Sequence, residues 1–557
     1  MSSRLMPPGS LKAIKATQPQ LYIFIGHNYS REKGNSPRRE NYTQLTMFLA
    51  FAMNVVKVVA GVLDISTVLV LLVSFLATAV LLGRLKRPRL PPGPRAWPVI
   101  GNLPSLTKQP HLKFTEWRQQ YGDVYTVRMG SDDVVIVNGW EAVREALVKQ
   151  ADEFADRPRL FVFDRIGHGG KGVIFGHYNS AWKANRKFLT TTLRDFGLGK
   201  KSMELRIQEE ANELCNWLAS YNGRPIETGN LLSNAASNII CSVVFGSRFA
   251  YDDQDFRRML DLLERGTRLS MVGQIFNFFP WARFVPFLSR LGNEVMDNCD
   301  KIDDFLKKIV QKHQDSFDPE VKRDVIDAYL HQMWRGMDLN SNDLAGNFSE
   351  ECLVALIFDL FIAGTDTSMN TQRWALLYLA THPDIQREVQ EEVDRVVGRD
   401  APVSLAHRPE MPYTDAFLHE VLRIRPPGPL SVPHMAGPGA TLNGYEIPQN
   451  TQVYANLWSL HMDPEYWPEP ERFDPARFIG PDGKVLTNPP SYAPFSLGRR
   501  ACPGKQLAKS EAFLFLVTMV QRFSFKLPEG APVPPMDGVM GFSLAAQPHS
   551  LCAISRN

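Results

Sequence analysis

One ten-residue frame constrains this chain more than anything else in it: Phe495-Ser-Leu-Gly498-Arg-Arg500-Ala-Cys502-Pro-Gly504, followed directly by a helical pattern over Gln506 to Val520. A lone cysteine in a turn of this kind is suited to be the single axial ligand of a haem iron. A thiolate there pushes electron density onto the metal and favours O–O cleavage. Gly498 and Gly504 can adopt the positive φ that other residues resist, so the loop can close tightly round the sulfur. Arg500 is placed for a charge-assisted hydrogen bond to an acidic group of such a cofactor. Taken alone, a free cysteine such as Cys502 is more often a buried structural thiol. The frame around it, and further motifs in a consistent chain order, favour the ligand.

The chain has 557 residues, a length compatible with several domains. From about Pro98 onward no Gly/Ser-rich linker, charge block or repeat divides it, so one large domain is the simpler expectation. The formal net charge of +3 gives no nucleic-acid signal, and 44% hydrophobic residues support a sizeable core. The six cysteines, Cys215, Cys241, Cys299, Cys352, Cys502 and Cys552, form no C-x-x-C pair. That pattern points away from zinc or redox motifs and toward a reducing compartment, the cytosol.

Ile65 to Leu82 is an uncharged run of 18 residues, long enough for a transmembrane helix and apolar all round. Arg84, Lys86, Arg87, Arg89 and Arg95 follow it, whereas Lys57 alone lies close before it, so the positive-inside rule places the C-terminal part in the cytosol. We assign 47–87 to the anchor and its basic flank, and 88–98, with Pro88, Pro91, Pro92 and Pro94, to a semi-rigid hinge. Residues 99–557 are expected to form the one large domain that holds the cysteine frame. The polar, basic stretch 1–46 reads as a disordered extension, with Met47 and Met53 as alternative starts. On the lumenal side, Asn28 and Asn41 would be glycosylation sequons.

Four further motifs carry chemistry. Ser349 to Leu379 reads as one long apolar helix, with Asn347 and Glu350 resembling a capping box. Its centre holds Ala363-Gly364-Thr365-Asp366-Thr367-Ser368, residues that cost a helix stability, which suggests a functional opening of the hydrogen-bond ladder. Glu420 and Arg423, at i and i+3, share a helix face ahead of Pro426-Pro427 and can pair. Downstream, Phe473-Asp-Pro475-Ala-Arg477-Phe478 lies in a Pro-rich segment. Trp182 and Arg186, at i and i+4, share another helix face, and His434 follows Pro433.

Together these motifs resemble the cytochrome P-450 family from about Pro91 to the C-terminus. The resemblance implies a mainly α fold with small β-sheets, a helix-rich triangular prism; strand-like runs occur at Val124 to Val127, Asp133 to Val137 and Thr451 to Tyr454. It implies haem b held by Cys502 as iron ligand, by the frame residues Phe495, Gly498 and Gly504, and by Arg186, Trp182, His434 and Arg500 around the propionates. Asp366 and Thr367 would deliver protons for oxygen activation, and Glu420, Arg423 and Arg477 would lock the proximal side. Lys183, Lys187, Arg499, Lys505 and Lys509 would form a basic face for NADPH–cytochrome P-450 reductase, with cytochrome b5 as a further candidate. NADPH and flavins would act only through that reductase. The aromatic run Phe276 to Leu288 resembles a membrane-dipping loop. Phe161, Phe163, Phe358, Phe361, Ala363, Val432 and Phe542 are pocket candidates for a lipophilic substrate, whether fatty acid, steroid or xenobiotic. The implied enzyme is a monooxygenase on the endoplasmic reticulum membrane facing the cytosol, without nucleic-acid partners. A thiolate haem isomerase or peroxygenase, or a non-catalytic haem or gas-binding membrane protein, are the rival readings.

Overall fold

The computed structural model describes residues 90–556, except 107, 197–200 and 339–347, and positions 66, 67, 69–71, 73, 74 and 78. Contacts divide the chain into two units, Met1–Lys86 and Arg87–Asn557. In the first, the described positions are helical, with Leu69, Val70, Leu71 and Val73 exposed. The extension, Asn28, Asn41, Met47, Met53 and the basic flank at Arg84, Lys86 and Arg87 lie outside the described residues.

In the second unit the three strand-like runs form one sheet. β1 (Val124–Met129) and β2 (Asp132–Val137) make an antiparallel hairpin, with Val124 opposite Val137. β3 (His434–Met435) pairs antiparallel with β4 (Gln452–Ala455), which runs parallel to β2, so His434 is fixed opposite Val453. The Pro-rich segment is not a free spacer from Leu90 onward. Pro92 O accepts the Thr126 amide at 2.9 Å, and a Cβ on Gly93 would overlap Thr126 O. Missing proline donors leave this segment's carbonyls as its bonding groups, and the edge of β1 satisfies one of them.

Helices make up most of the unit: α1 (Phe161–Ile166), α2 (Ser180–Asp195), α3 (Lys201–Ser220), α4 (Gly229–Val244), α5 (Gln254–Phe278), α6 (Pro286–Asp315), α7 (Glu350–Thr381), α8 (Pro383–Val396), α9 (Pro412–Ile424) and α10 (Lys505–Arg522). The start of α7 is set by Ser349, whose side chain accepts the Cys352 amide, and Glu350 and Glu351 favour its N-terminal dipole. The expected cap Asn347 lies outside the described residues. Pro383 ends the helix, because the residue before a proline is driven out of the helical region.

α7 runs uninterrupted through Gly364; the expected opening of its ladder is absent. Gly364 serves packing instead. A Cβ there would collide with Ile240, so glycine lets α4, buried along most of its length, lie directly against α7. Among the described residues α7 alone is long and apolar enough to cross a membrane, and 61% of its apolar window is buried inside the unit, so its hydrophobicity builds the core.

Candidate active site

The frame around Cys502 folds as a tight loop against Glu145–Lys149. Gly498 has φ +71°, and any side chain there would overlap Leu147 O. The Cys502 amide donates to Phe495 O at 2.9 Å, closing the loop. Gly504 takes φ −86°, an ordinary value, so of the two glycines only Gly498 uses positive φ, while Ser496 in the same loop takes +58°. Cys502 is exposed, yet protein packs closely enough round its sulfur that burial is the largest influence, pushing the thiol up. The Gly504 and Lys505 amides at the start of α10, and the charges of Arg186 and Lys505, pull it back. Amides and a helix N-terminus aimed at sulfur favour thiolate.

Above the loop lies a cluster of cations that neutralise nothing. Arg500 donates to Ala155 O (2.6 Å), Val173 O (3.2 Å) and Gly176 O (2.6 Å), and its guanidinium stacks 3.9 Å from the Trp182 ring centroid. Arg157 donates to Ile174 O (3.0 Å), Val432 O (2.9 Å) and Pro433 O (2.7 Å). Arg186 donates to Ala501 O and lies 5.3 Å from the Trp182 ring. Trp182 itself donates to Val173 O at 2.9 Å. Burial and mutual repulsion push Arg500 down to about 9 and Arg157 well below its ordinary value. His434 bonds Phe154 O through Nδ1 at 2.6 Å, and burial and Arg157 hold it well below the usual histidine range. Among the described residues none of these three arginines forms an ion pair with a carboxylate. Buried guanidinia without anions are costly unless a ligand supplies the charge.

The cytochrome P450 family model matches residues 91–553. The chain belongs to the cytochrome P450 family. Human cytochrome P450 2U1 is 39% identical over 493 residues, covering 84% of this chain and 89% of that protein. Human cytochrome P450 2J2 is 38% identical over 495 residues (88% and 96%), and mouse cytochrome P450 2J5 37% over 497 (89% and 97%). This P450 is therefore a monooxygenase-family enzyme whose cofactor is haem b.

The residues present fit that cofactor. A thiol at a helix N-terminus suits the iron, and the unneutralised arginine cluster suits two propionates. Arg157 is a site residue that sequence reasoning missed. The chain announces it only as an arginine inside Phe154 to Pro158, and its partners are backbone carbonyls far along the sequence.

Asp359 was missed as well, although an acid inside an apolar helical run was visible. It is buried on α7, and one carboxylate oxygen accepts the Val173 (2.5 Å) and Ile174 (2.9 Å) amides. The carbonyls of Val173, Ile174 and Gly176 hold Arg500, Arg157 and Trp182 from the other side. Residues 172–176 thus form a strap from α7 to the cations. Burial pushes Asp359 up to about 6, opposed by the Ile174 and Val173 amides.

Ala363, Asp366, Thr367 and Asn370 share one face of α7. Thr367 Oγ1 donates to Ala363 O at 2.5 Å. Asp366 is pushed up by burial, opposed by hydrogen bonds from Ser543 and Asn370, and its Oδ2 is buried without a partner. Phe361 points elsewhere: its ring stacks 5.0 Å from Phe245, making it core rather than pocket lining. Phe358 packs edge-on to His168, and Phe163 stacks 4.8 Å from Phe175, beside the strap. Phe161, Ala363, Val432 and Phe542 are partly buried.

Behind the loop, Glu420 accepts Arg423 through both oxygens (2.6 and 2.8 Å), Arg477 (3.1 Å) and the Asp474 amide (3.0 Å). The basic face is smaller than the sequence suggested. Lys509 turns inward to His419 (3.2 Å), and burial beside Arg408 and Lys505 lowers it to about 8. Arg499 pairs with Asp152, whereas Lys183 and Lys187 remain exposed.

Proposed function

We propose that this P450 hydroxylates a lipophilic substrate, inserting one atom of dioxygen, with electrons from NADPH delivered by a membrane-bound reductase. Bound haem supplies the oxygen activation and the electron chemistry. Cys502 is its thiolate ligand; Arg157, Arg186, Arg500 and His434 hold its propionates, with Trp182 stacked beneath Arg500. Phe495, Gly498 and Gly504 shape the loop, and Glu420, Arg423 and Arg477 keep it in place from behind. The observation that carries this reading is the thiol at the start of α10 beside buried arginines that lack counter-ions.

Asp366 holds a proton more readily than an ordinary carboxylate, because burial disfavours its charge. Thr367 spends its own proton on Ala363 O, which leaves its oxygen free to accept. With haem bound, Asp366 would be the local proton source and Thr367 the acceptor oxygen beside it, general-acid assistance of a kind worth about 10²–10⁴-fold. Lys183 and Lys187 favour an acidic electron donor, the reductase or cytochrome b5. Trp281, Phe284 and Phe287 are 59%, 72% and 76% exposed, which suits a face resting on the endoplasmic reticulum membrane with the domain in the cytosol.

The test is product analysis by mass spectrometry, with purified protein, reductase, NADPH and heavy-isotope dioxygen, on fatty acids, steroids and planar aromatics. One labelled oxygen per product, dependent on NADPH, is the expected result. Product formed without NADPH would replace this reading with an isomerase or peroxygenase.

A further inference from the structure

Glu511 is a buried acid that none of the roles above uses. It lies in the second turn of α10, and its Oε2 accepts the Ser368 hydroxyl of α7 at 3.1 Å. Ser368 directly follows Thr367. One turn along α7, Gln372 donates to Ala512 O at 3.2 Å. These contacts form a polar seam between the helix that starts at the thiol and the helix that carries the proton-handling pair. Two acceptor oxygens of the seam, Glu511 Oε1 and Gln372 Oε1, are buried without partners. A proton on Glu511 removes the charge that its unpartnered buried oxygen would otherwise carry in the seam.

We propose that Glu511, in its neutral form, is a positioning residue that ties the Asp366–Thr367 turn of α7 to the thiolate-bearing end of α10.

The surroundings agree. Burial pushes the Glu511 carboxyl up to about 8, and the Ser368 hydroxyl alone opposes it. The charged groups of the elements packed on α10 are committed elsewhere. Glu210 of α3 bonds Arg248 and Tyr251, and Asp366 of α7 bonds Ser543. Glu392 of α8 bonds Thr414, and Glu420 of α9 bonds Arg423. Arg408, in the short helix Leu405–Glu410, pairs with Asp415, and Lys526 of the strand Phe523–Lys526 is exposed. On α10 itself Lys505 acts on Cys502, Lys509 meets His419, and Arg522 acts on Cys215.

The sign of the pH effect follows from linkage. The folded value of about 8 exceeds the ordinary 4.5, so the stability Glu511 contributes is complete below pH 4.5 and is lost as pH rises to about 8. Glutamine keeps the shape and an acceptor but cannot ionise. Thermal unfolding of the haem-loaded ferric protein, followed by its Soret band, should show Glu511→Gln gaining on the wild type as pH rises from 5 toward 8, then levelling. A difference in Tm that stays constant over this range would overturn the proposal. The positioning role rests on the monooxygenase reading and is read separately, as peroxide released per NADPH with reductase present. Glu511→Leu and Ser368→Ala should raise it several-fold, with Glu511→Gln near wild type. Unchanged peroxide in Ser368→Ala, the milder variant, would remove that role. The thermal profile needs neither reductase nor substrate, so it stands or falls independently of the monooxygenase reading.

Discussion

Glu420 is wholly buried and its carboxylate accepts from Arg423, Arg477 and the Asp474 amide together, the one anion shared by both guanidinia, which otherwise bond backbone carbonyls. Removing its carboxylate leaves a fully buried guanidinium facing a second one, a loss of about 3–5 kcal/mol. Glu420→Ala is therefore expected to yield little haem-loaded protein; normal haem content by pyridine-haemochrome assay would contradict this. The same residue shows what a sequence can reveal. Glu420 and Arg423 were legible because a spacing of three on a helix dictates a shared face, and Cys502 because its neighbours frame it. Arg157 and Asp359 were not, because their partners are backbone groups whose positions only the folded chain defines. Lys509 was misread for a related reason: an ammonium looks solvated in sequence until its neighbour proves to be a buried histidine.

Elements transmit these contacts. α7 offers three faces in succession: Phe361 and Gly364 to α4, Ser368 and Gln372 to α10, and Asp359 to the strap. Its length was readable from apolar content, to within two residues of its end before Pro383. The division of its faces was not, since it depends on which helices arrive. Gly364 looked like a functional break, yet a valine there is expected to cost about 1–3 kcal/mol by overpacking against Ile240, without altering the thiolate spectrum. Chemical denaturation would measure the first effect, and absorbance the second. The strap makes a sharper prediction. Asp359→Ala removes the acceptor of two amides and should speed haem transfer to apomyoglobin, whereas Asp359→Asn, which keeps an acceptor oxygen, should stay near wild type. Equal transfer rates for the two variants would refute the strap.

For the whole molecule, the exposed aromatics at Pro280–Phe284 and the start of α6 lie beside the docked N-terminal segment: a Cβ on Gly130 would meet Phe278 O and Phe279, and the Gly130 amide donates to Ile100 O. Trp97, Val99 and Ile100 add exposed apolar surface there. Replacing Trp281, Phe284 and Phe287 by serine should raise KM for a substrate dissolved in vesicles and leave KM in detergent unchanged; equal changes in both would rule out a membrane role for this face. The aromatic run was readable and its resemblance to a membrane-dipping loop agrees with the exposure of Trp281, Phe284 and Phe287, whereas Phe276 and Phe278 at its start are buried, a division that composition alone does not make. The proposed chemistry requires a thiolate from Cys502 on the iron. The direct measurement is the absorbance spectrum of the reduced, CO-bound protein. A Soret band at the red-shifted position of thiolate ligation, lost in Cys502→Ser, is the expected result; an imidazole-type band in the wild type would contradict it.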